Sequence, residues 1–558
     1  MTARRRFAAL SSGSGLASLA AAFAIFLLSF GWFSRAWLRQ SHDSVALTTT
    51  QGFADAQLIV WVLNWVDARL RSDFGRILDA PINYPAARQL TGSEHFATSQ
   101  LLFFPIDAVV DSPLVAANLT AFLFYPLTAL SMYALLRLLG ARGGAAMFGG
   151  FGLALGPLQV PSTLQVLQTL PIFYPLTAIT LRSLRESPSA TRAVLCAVAL
   201  LAGLLSSFYT AMLLTMFFVL WALVEGLRAR PNRIRFAIGS SASLLVAVAV
   251  FLATSWAYLQ RPEVASDVPM VWTPELLAAA RGNVLLRAFG ERHFGGVGVA
   301  LSLAALLGLV SLTQADLRAY ALGCIAVAAS GLFIAFGGIQ QLGFAELPWP
   351  LGDVALFAGR FFRVIPRGML LTGFAFAALG ALGLETLRRS SPRGGAVAVV
   401  ALTAILLATR GTALGRSDLM RVRAFADDTS VYQKVGAIVG GADRGPLLEL
   451  PRRPRMAAAD ASAMMGQIWH GVPLITGHTG YLPLNRSEVD RLSATPLQHD
   501  ALRSLVAMTK VRWILLQPRD RWRGEREYSL TVGQLRSFPG LIGEYAVDGF
   551  LLFQLGAS

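Results

Sequence analysis

Charge is scarce in this sequence: Asp, Glu, Lys and Arg make up 14% of its 558 residues, against 54% apolar residues. A soluble domain carries about 25% charge, so a wholly soluble chain is excluded. Cysteine is scarcer still. Cys196 and Cys324 both fall inside apolar runs, which rules out a four-cysteine metal centre, argues against a disulfide framework and leaves packing as their role. Phosphate-cradling glycine motifs of the GxGxxG or P-loop type are missing, as is a GxSxG nucleophile elbow. Nucleotide-dependent and serine-hydrolase chemistry therefore lose their usual signatures. No long internal repeat and no low-complexity tract is evident.

What the chain does have is apolar runs that approach or exceed the roughly 20 residues needed to cross hydrocarbon as a helix. We expect a polytopic α-helical membrane protein with about eleven spans, near 15–33, 114–138, 144–160, 164–181, 193–207, 209–227, 236–256, 297–313, 318–337, 370–386 and 395–409. The net charge of +16 is distributed as orientation signals are, in short connections between runs. Examples are Arg4–Arg6, Arg137 with Arg142, Arg228 to Arg235, and Arg388 with Arg389 and Arg393. With the N terminus in the cytoplasm, an odd number of spans leaves every such cluster on the cytoplasmic side, where it can also hold anionic headgroups. Membrane lipids, not nucleic acid, are the expected partner of this charge. Arg4–Arg6 and Leu16–Phe30 resemble a signal peptide, but no small-residue cleavage box precedes Trp32, so a retained first span is expected.

Four segments then face outwards: 34–113, 257–296, 338–369 and 410–558. In the first, GFADAQLIVWVLNW (52–65) opens a helix over Asp55–Leu70, whose Trp61 and Trp65 suit a membrane interface. LLFFPIDAVV reads as a second short interface or re-entrant helix, limited by Pro105 and Pro113. Beyond residue 410 the apolar runs shorten to strand length. LLELP (447–451), VRWILLQ (511–517) and GFLLFQL (549–555) read as strands, and ALRSLVAMTK (501–510) as an amphipathic helix. The expected organisation is a transmembrane domain, 1–409, and a C-terminal extracytoplasmic α/β or α+β domain, 410–558.

Ionisable groups beside a membrane need a reason. Asp55 fits two roles, a cap in the first turn of its helix or a general base for an acceptor hydroxyl. Arg360, Arg363 and Arg367 are spaced three and four apart, as a helical clamp on phosphate would be, although Pro366 can interrupt such a helix. The same arginines suit lipid headgroups. Glu94-His95 could contact a divalent cation, Mg2+ or Mn2+, but two ligands fall short of a metal set. His293, in the second outer segment, is a further candidate for substrate contact. His470 and His478, in HGVPLITGHTGYLP, are eight apart; they match no zinc motif and suit structural or substrate-contact roles.

The order of motifs resembles that of bacterial membrane proteins of the glycosyltransferase C superfamily: a first span, GFADAQLIVWVLNW, INYPAARQL, SEHFATSQLLFFP, FFRVIPRGMLL, LLELP, GQIWHGVPLITGHTGYLP and TKVRWILLQ. The resemblance implies inverting transfer of a sugar from a polyprenyl-phosphate or -diphosphate donor to a glycan, lipid or protein acceptor at the outer face of the bacterial inner membrane. It implies Asp55 as the base, Glu94 and His95 near donor phosphate or a metal, and Arg360, Arg363 and Arg367 on lipid phosphate. The familiar acidic pair of such loops is replaced here by Asp55 between Ala54 and Ala56. A transporter or flippase of lipid-linked glycans, and a non-catalytic scaffold for glycan assembly, are the alternatives.

Overall fold

The computed structural model describes residues 12–47, 52–156, 163–229, 232–259, 298–337, 365–415, 417–440, 445–452, 457–479, 483 and 485–556. Eight helical segments among these are long and apolar enough to cross a membrane: Gly13–Phe33, Pro113–Leu139, Thr163–Glu186, Phe208–Leu227, Arg233–Thr254, Arg318–Ala335, Met369–Ser390 and Pro392–Gly415. Among the described residues, eight of the eleven expected runs reach spanning length as helices, not all eleven. The runs near 144–160, 193–207 and 297–313 form the shorter helices Gly143–Leu155, Ala190–Leu204 and Val299–Thr313. At 1.5 Å per residue the first of these, of 13 residues, is about 20 Å long, short of a hydrocarbon layer about 30 Å thick. The break expected at Ser206-Ser207 is real: Ser207 caps the next helix by accepting from the Thr210 N–H.

Met369–Ser390 is the central helix, buried along nearly its whole length, and it packs against Val299–Gly308, Arg318–Ala335 and Gly143–Leu155. The Thr163–Glu186 segment begins as a 3-10 turn, Thr163–Gln168, and continues as the α-helix Phe173–Glu186. Its far end carries Arg182 and Arg185, which gather with Arg228, Glu186 and Glu225 around Tyr320. Arg228 belongs to a basic cluster expected on the cytoplasmic side, here lying over the Tyr320 ring, while Arg182 and Arg185 are tied to carboxylates.

The long connection after the first helix and the C-terminal region are interlocked on one side of the bundle. Strand β1 (Ser44–Leu47) pairs antiparallel with β2 (Asp418–Arg421). Asn118, at the head of a membrane helix, fastens the strand's start: its amide donates to the Ser41 and Ser44 carbonyls, and its oxygen accepts from Trp37 Nε1. The helix Gly52–Ser72 lies beneath the C-terminal helix Ala457–His470. Trp61, 1% exposed, donates its indole N–H to Gln467, and stacks on Trp65. The expected interface helix is therefore covered by protein on the tryptophan face. An indole ring suits a lipid headgroup layer and a wet domain contact equally well.

Beyond it, β3 (Leu447–Leu450), β4 (Trp513–Leu516), β5 (Leu541–Val547) and β6 (Phe550–Leu555) form one sheet in the order β3-β4-β6-β5. The β3–β4 pair is parallel and the others antiparallel. Helices Ala457–His470, Arg486–Leu492 and His499–Thr509 lie in the β3–β4 crossover, as a parallel pair requires. The mixed sheet with helices agrees with the α/β or α+β expectation.

Candidate active site at Asp55

Asp55 lies in the first turn of Gly52–Ser72, where the helix dipole favours a carboxylate. Its side chain is 44% exposed, yet both oxygens are engaged. Oδ2 accepts from Gln165 Nε2 at 2.7 Å. Oδ1 lies 3.3 Å from His478 Nε2; in the tautomer that carries its proton on Nε2, the imidazole donates to this oxygen. Three distant parts of the chain thus meet on one carboxylate: the long connection after the first helix, the start of a membrane segment and a loop of the C-terminal region.

Gln165 belongs to the 3-10 turn Thr163–Gln168. Residues three apart eclipse one another in such a helix, so Gln168 shares the face of Gln165. Gln168 Oε1 accepts from Arg367 Nη2. The guanidinium, in a residue only 7% exposed, lies 3.7 Å above the Tyr209 ring centroid, while Nε and Nη1 have no hydrogen-bond partner among the described residues. Unmade charged hydrogen bonds are costly, so among the described residues this guanidinium retains donors that an anionic acceptor could satisfy. Arg367 sits in the turn Ile365–Gly368. A Cβ on Gly368 would fall 2.6 Å from the Gly331 carbonyl oxygen, so only glycine lets the turn approach Arg318–Ala335 this closely. Arg360, Arg363 and His293 lie outside the described residues.

His95 packs edge-on to Phe208 and Tyr258, with Nδ1 accepting from the Ala97 N–H, and does not reach Asp55. Burial lowers its pKa to about 4, so it is neutral at pH 7. Glu94 is close enough to Tyr258 for its charge, after burial itself, to raise the phenol pKa. Among the described residues no group of three or more His, Cys, Asp or Glu side chains is placed to hold a metal ion.

His470 and His478 have opposite surroundings. His470 ends the Ala457–His470 helix, is buried, and uses Nδ1 to accept from the Val472 N–H. Burial pushes its pKa down to about 3. Its folded-state pKa lies below the unfolded value near 6.5, so its contribution to stability is present above that value and is lost as pH falls towards 3. Between pH 7 and pH 5 it should remove about 2 kcal/mol. Thermal unfolding in detergent at the two pH values reads this loss, and His470→Asn, which keeps an acceptor for Val472, should show correspondingly less acid sensitivity.

Gln165, Gln168, Tyr209 and Arg486 were not singled out in the sequence. The two amides do carry a signal, since polar side chains at a three-residue spacing in an apolar run must find partners.

No family model matches the sequence, and no curated protein matches it. Among solved structures the fold is similar to a cryo-EM structure of the arabinofuranosyltransferase AftD from mycobacteria, with a TM-score of 0.51 and 17% identity. The match covers 97% of this chain and 41% of AftD, so this chain spans well under half of that protein's length. At this identity the likeness is one of fold: a polytopic helical membrane protein with a C-terminal domain of mixed sheet.

Proposed function

We propose that this chain is a membrane glycosyltransferase of the glycosyltransferase C type, with Asp55 as general base and Arg367 in the donor-phosphate site. One observation carries the reading: a single 3-10 turn presents Gln165 to Asp55 and Gln168 to Arg367. This link supports the reading, since it would hold a proton acceptor and a phosphate-binding cation in register. Sugar transfer from a lipid phosphate needs that pair. The acceptor oxygen attacks the anomeric carbon as its proton passes to Asp55; the bond from that carbon to the phosphate oxygen breaks on the opposite face, inverting the configuration. The leaving phosphate carries the negative charge, which the Arg367 guanidinium stabilises.

In this reading the donor is a polyprenyl-phosphate or -diphosphate sugar and the acceptor a glycan, lipid or protein. The membrane part, 1–409, lies in the bacterial inner membrane with its N terminus cytoplasmic, and 410–558 is extracytoplasmic. Purified protein given radiolabelled polyprenyl-phosphate sugars and envelope acceptors tests it. Label should move to acceptor in an Asp55-dependent manner. Label that crosses a vesicle membrane still attached to its lipid would instead mark a flippase, and lipid binding without turnover would mark a scaffold. Arg367→Gln should lower kcat/KM for the donor about 10–100-fold, the worth of lost hydrogen bonds to a charged group. Arg367→Lys should not restore it, since a point-charge ammonium lacks the flat stacking surface and the fork.

A further inference from the structure

We propose that the C-terminal outer domain is part of the reaction centre, because it supplies His478 as the positioning residue for the Asp55 carboxylate. The inference rests on the transferase reading and deepens it. A carboxylate has about four lone-pair sites. Gln165 and His478 take one on each oxygen, which fixes the plane of the group and leaves the others for an incoming hydroxyl. With the Gln165 contact alone, the half-exposed side chain could turn about its χ angles, and a base that wanders by about 1 Å can lose about 100-fold in rate.

The placement of His478 is over-determined in a way that a chance surface contact is not. Its backbone N–H donates to the Met464 sulfur at 3.1 Å. Met464 lies on Ala457–His470, the helix that holds the Asp55 helix through Ser462 on Gln57 and Gln467 on Trp61. Base and brace are therefore measured from one common element. The preceding residue is pinned as well. The Gly477 carbonyl accepts from Arg486 Nη1 at 2.6 Å, and the same nitrogen donates to Asn83 of the outer connection at 3.1 Å. A Cβ at Gly477 would lie 2.8 Å from Ile82 Cβ, so the loop seats directly on that connection. Backbone bonds from Leu474 to Pro81 and from Tyr84 to Leu474, both 2.9 Å, continue the join.

Two variants test the brace. His478→Leu removes the donor, and His478→Gln replaces it with a neutral amide that can reach the same oxygen. Steady-state transfer is measured with a radiolabelled polyprenyl-phosphate sugar, alongside thermal unfolding of each protein. The leucine variant should lose about 100-fold in kcat with donor KM unchanged, and the glutamine variant should recover most of that loss. Full activity in His478→Leu, a rise in KM at constant kcat, or equal loss in both variants would overturn the assignment. Equal loss accompanied by a lowered unfolding temperature would make His478 a fold residue only. Those outcomes need an active parent protein; a parent that transfers none of the lipid-phosphate sugars overturns the transferase reading itself, and this inference with it.

Discussion

Asp55→Asn is expected to lower sugar transfer by about 10²–10⁴-fold, the usual contribution of a positioned general base, while leaving the fold in place. The side chain is nearly isosteric. The amide oxygen can still accept from Gln165 or His478, and His478 can present its other tautomer to the new NH2 group. The variant gives up a first-turn carboxylate, which is worth about 0.3–1 kcal/mol through the helix dipole. Capping and catalysis therefore separate cleanly. A cap predicts a small fall in unfolding temperature with turnover retained. A base predicts the reverse, with donor KM little changed because no donor contact is lost. Retained turnover in Asp55→Asn would sink the base assignment, whatever the stability did.

Much of the scaffold was legible from the chain itself. Apolar runs gave the membrane helices, since nothing else explains so little charge over such lengths. Strands β3, β4 and β6 were read from short apolar runs whose residues are now largely buried. Strand β5 escaped because LIGEYAV alternates buried and exposed residues poorly and contains a glycine. Helix length was the weaker inference: an apolar run says that a segment is dry, not whether lipid or protein covers it. That ambiguity also hid the protein partner of Trp61, which donates to Gln467. Of the site, Asp55 was visible as a lone carboxylate opening a helix, yet its partner His478 stands 423 residues away. No local pattern encodes such a pairing. It depends on β1 meeting β2 and on residues 81–84 pairing with residues 474–476, both consequences of tertiary docking.

Arg486→Met is expected to cost about 3–5 kcal/mol in stability, because it strands buried charge. Arg452 and Arg486 share Asp460 and Asp490 in one charge-balanced quartet. Arg452 Nε lies 3.0 Å from Asp460, Arg486 Nε lies 2.6 Å from Asp490, and each arginine also reaches the other carboxylate. Burial alone would raise the Asp460 pKa, but the two guanidinium charges and their hydrogen bonds prevail and hold it below the ordinary carboxylate value. A depressed folded-state pKa contributes stability that is present above the unfolded value, near 3.9, and is lost as pH falls below it. In Arg486→Met two carboxylates share one arginine, so the neutral-pH loss should be large and the remaining sensitivity below pH 4 smaller than in the parent. Denaturant unfolding at pH 7 and pH 3 measures both. Adding Asp460→Leu rebalances the charge, and the double variant should lie well above the sum of the single losses, since residues in one network couple. Arg486→Lys should rescue little: one ammonium cannot serve Asp460, Asp490, Asn83 and the Gly477 carbonyl together. Transfer should fall beyond what the unfolded fraction explains, because the same guanidinium pins the loop that carries His478. A variant that is unstable but, per folded molecule, fully active would show that the quartet only joins the C-terminal domain to the connection carrying Asn83 and does not serve the base.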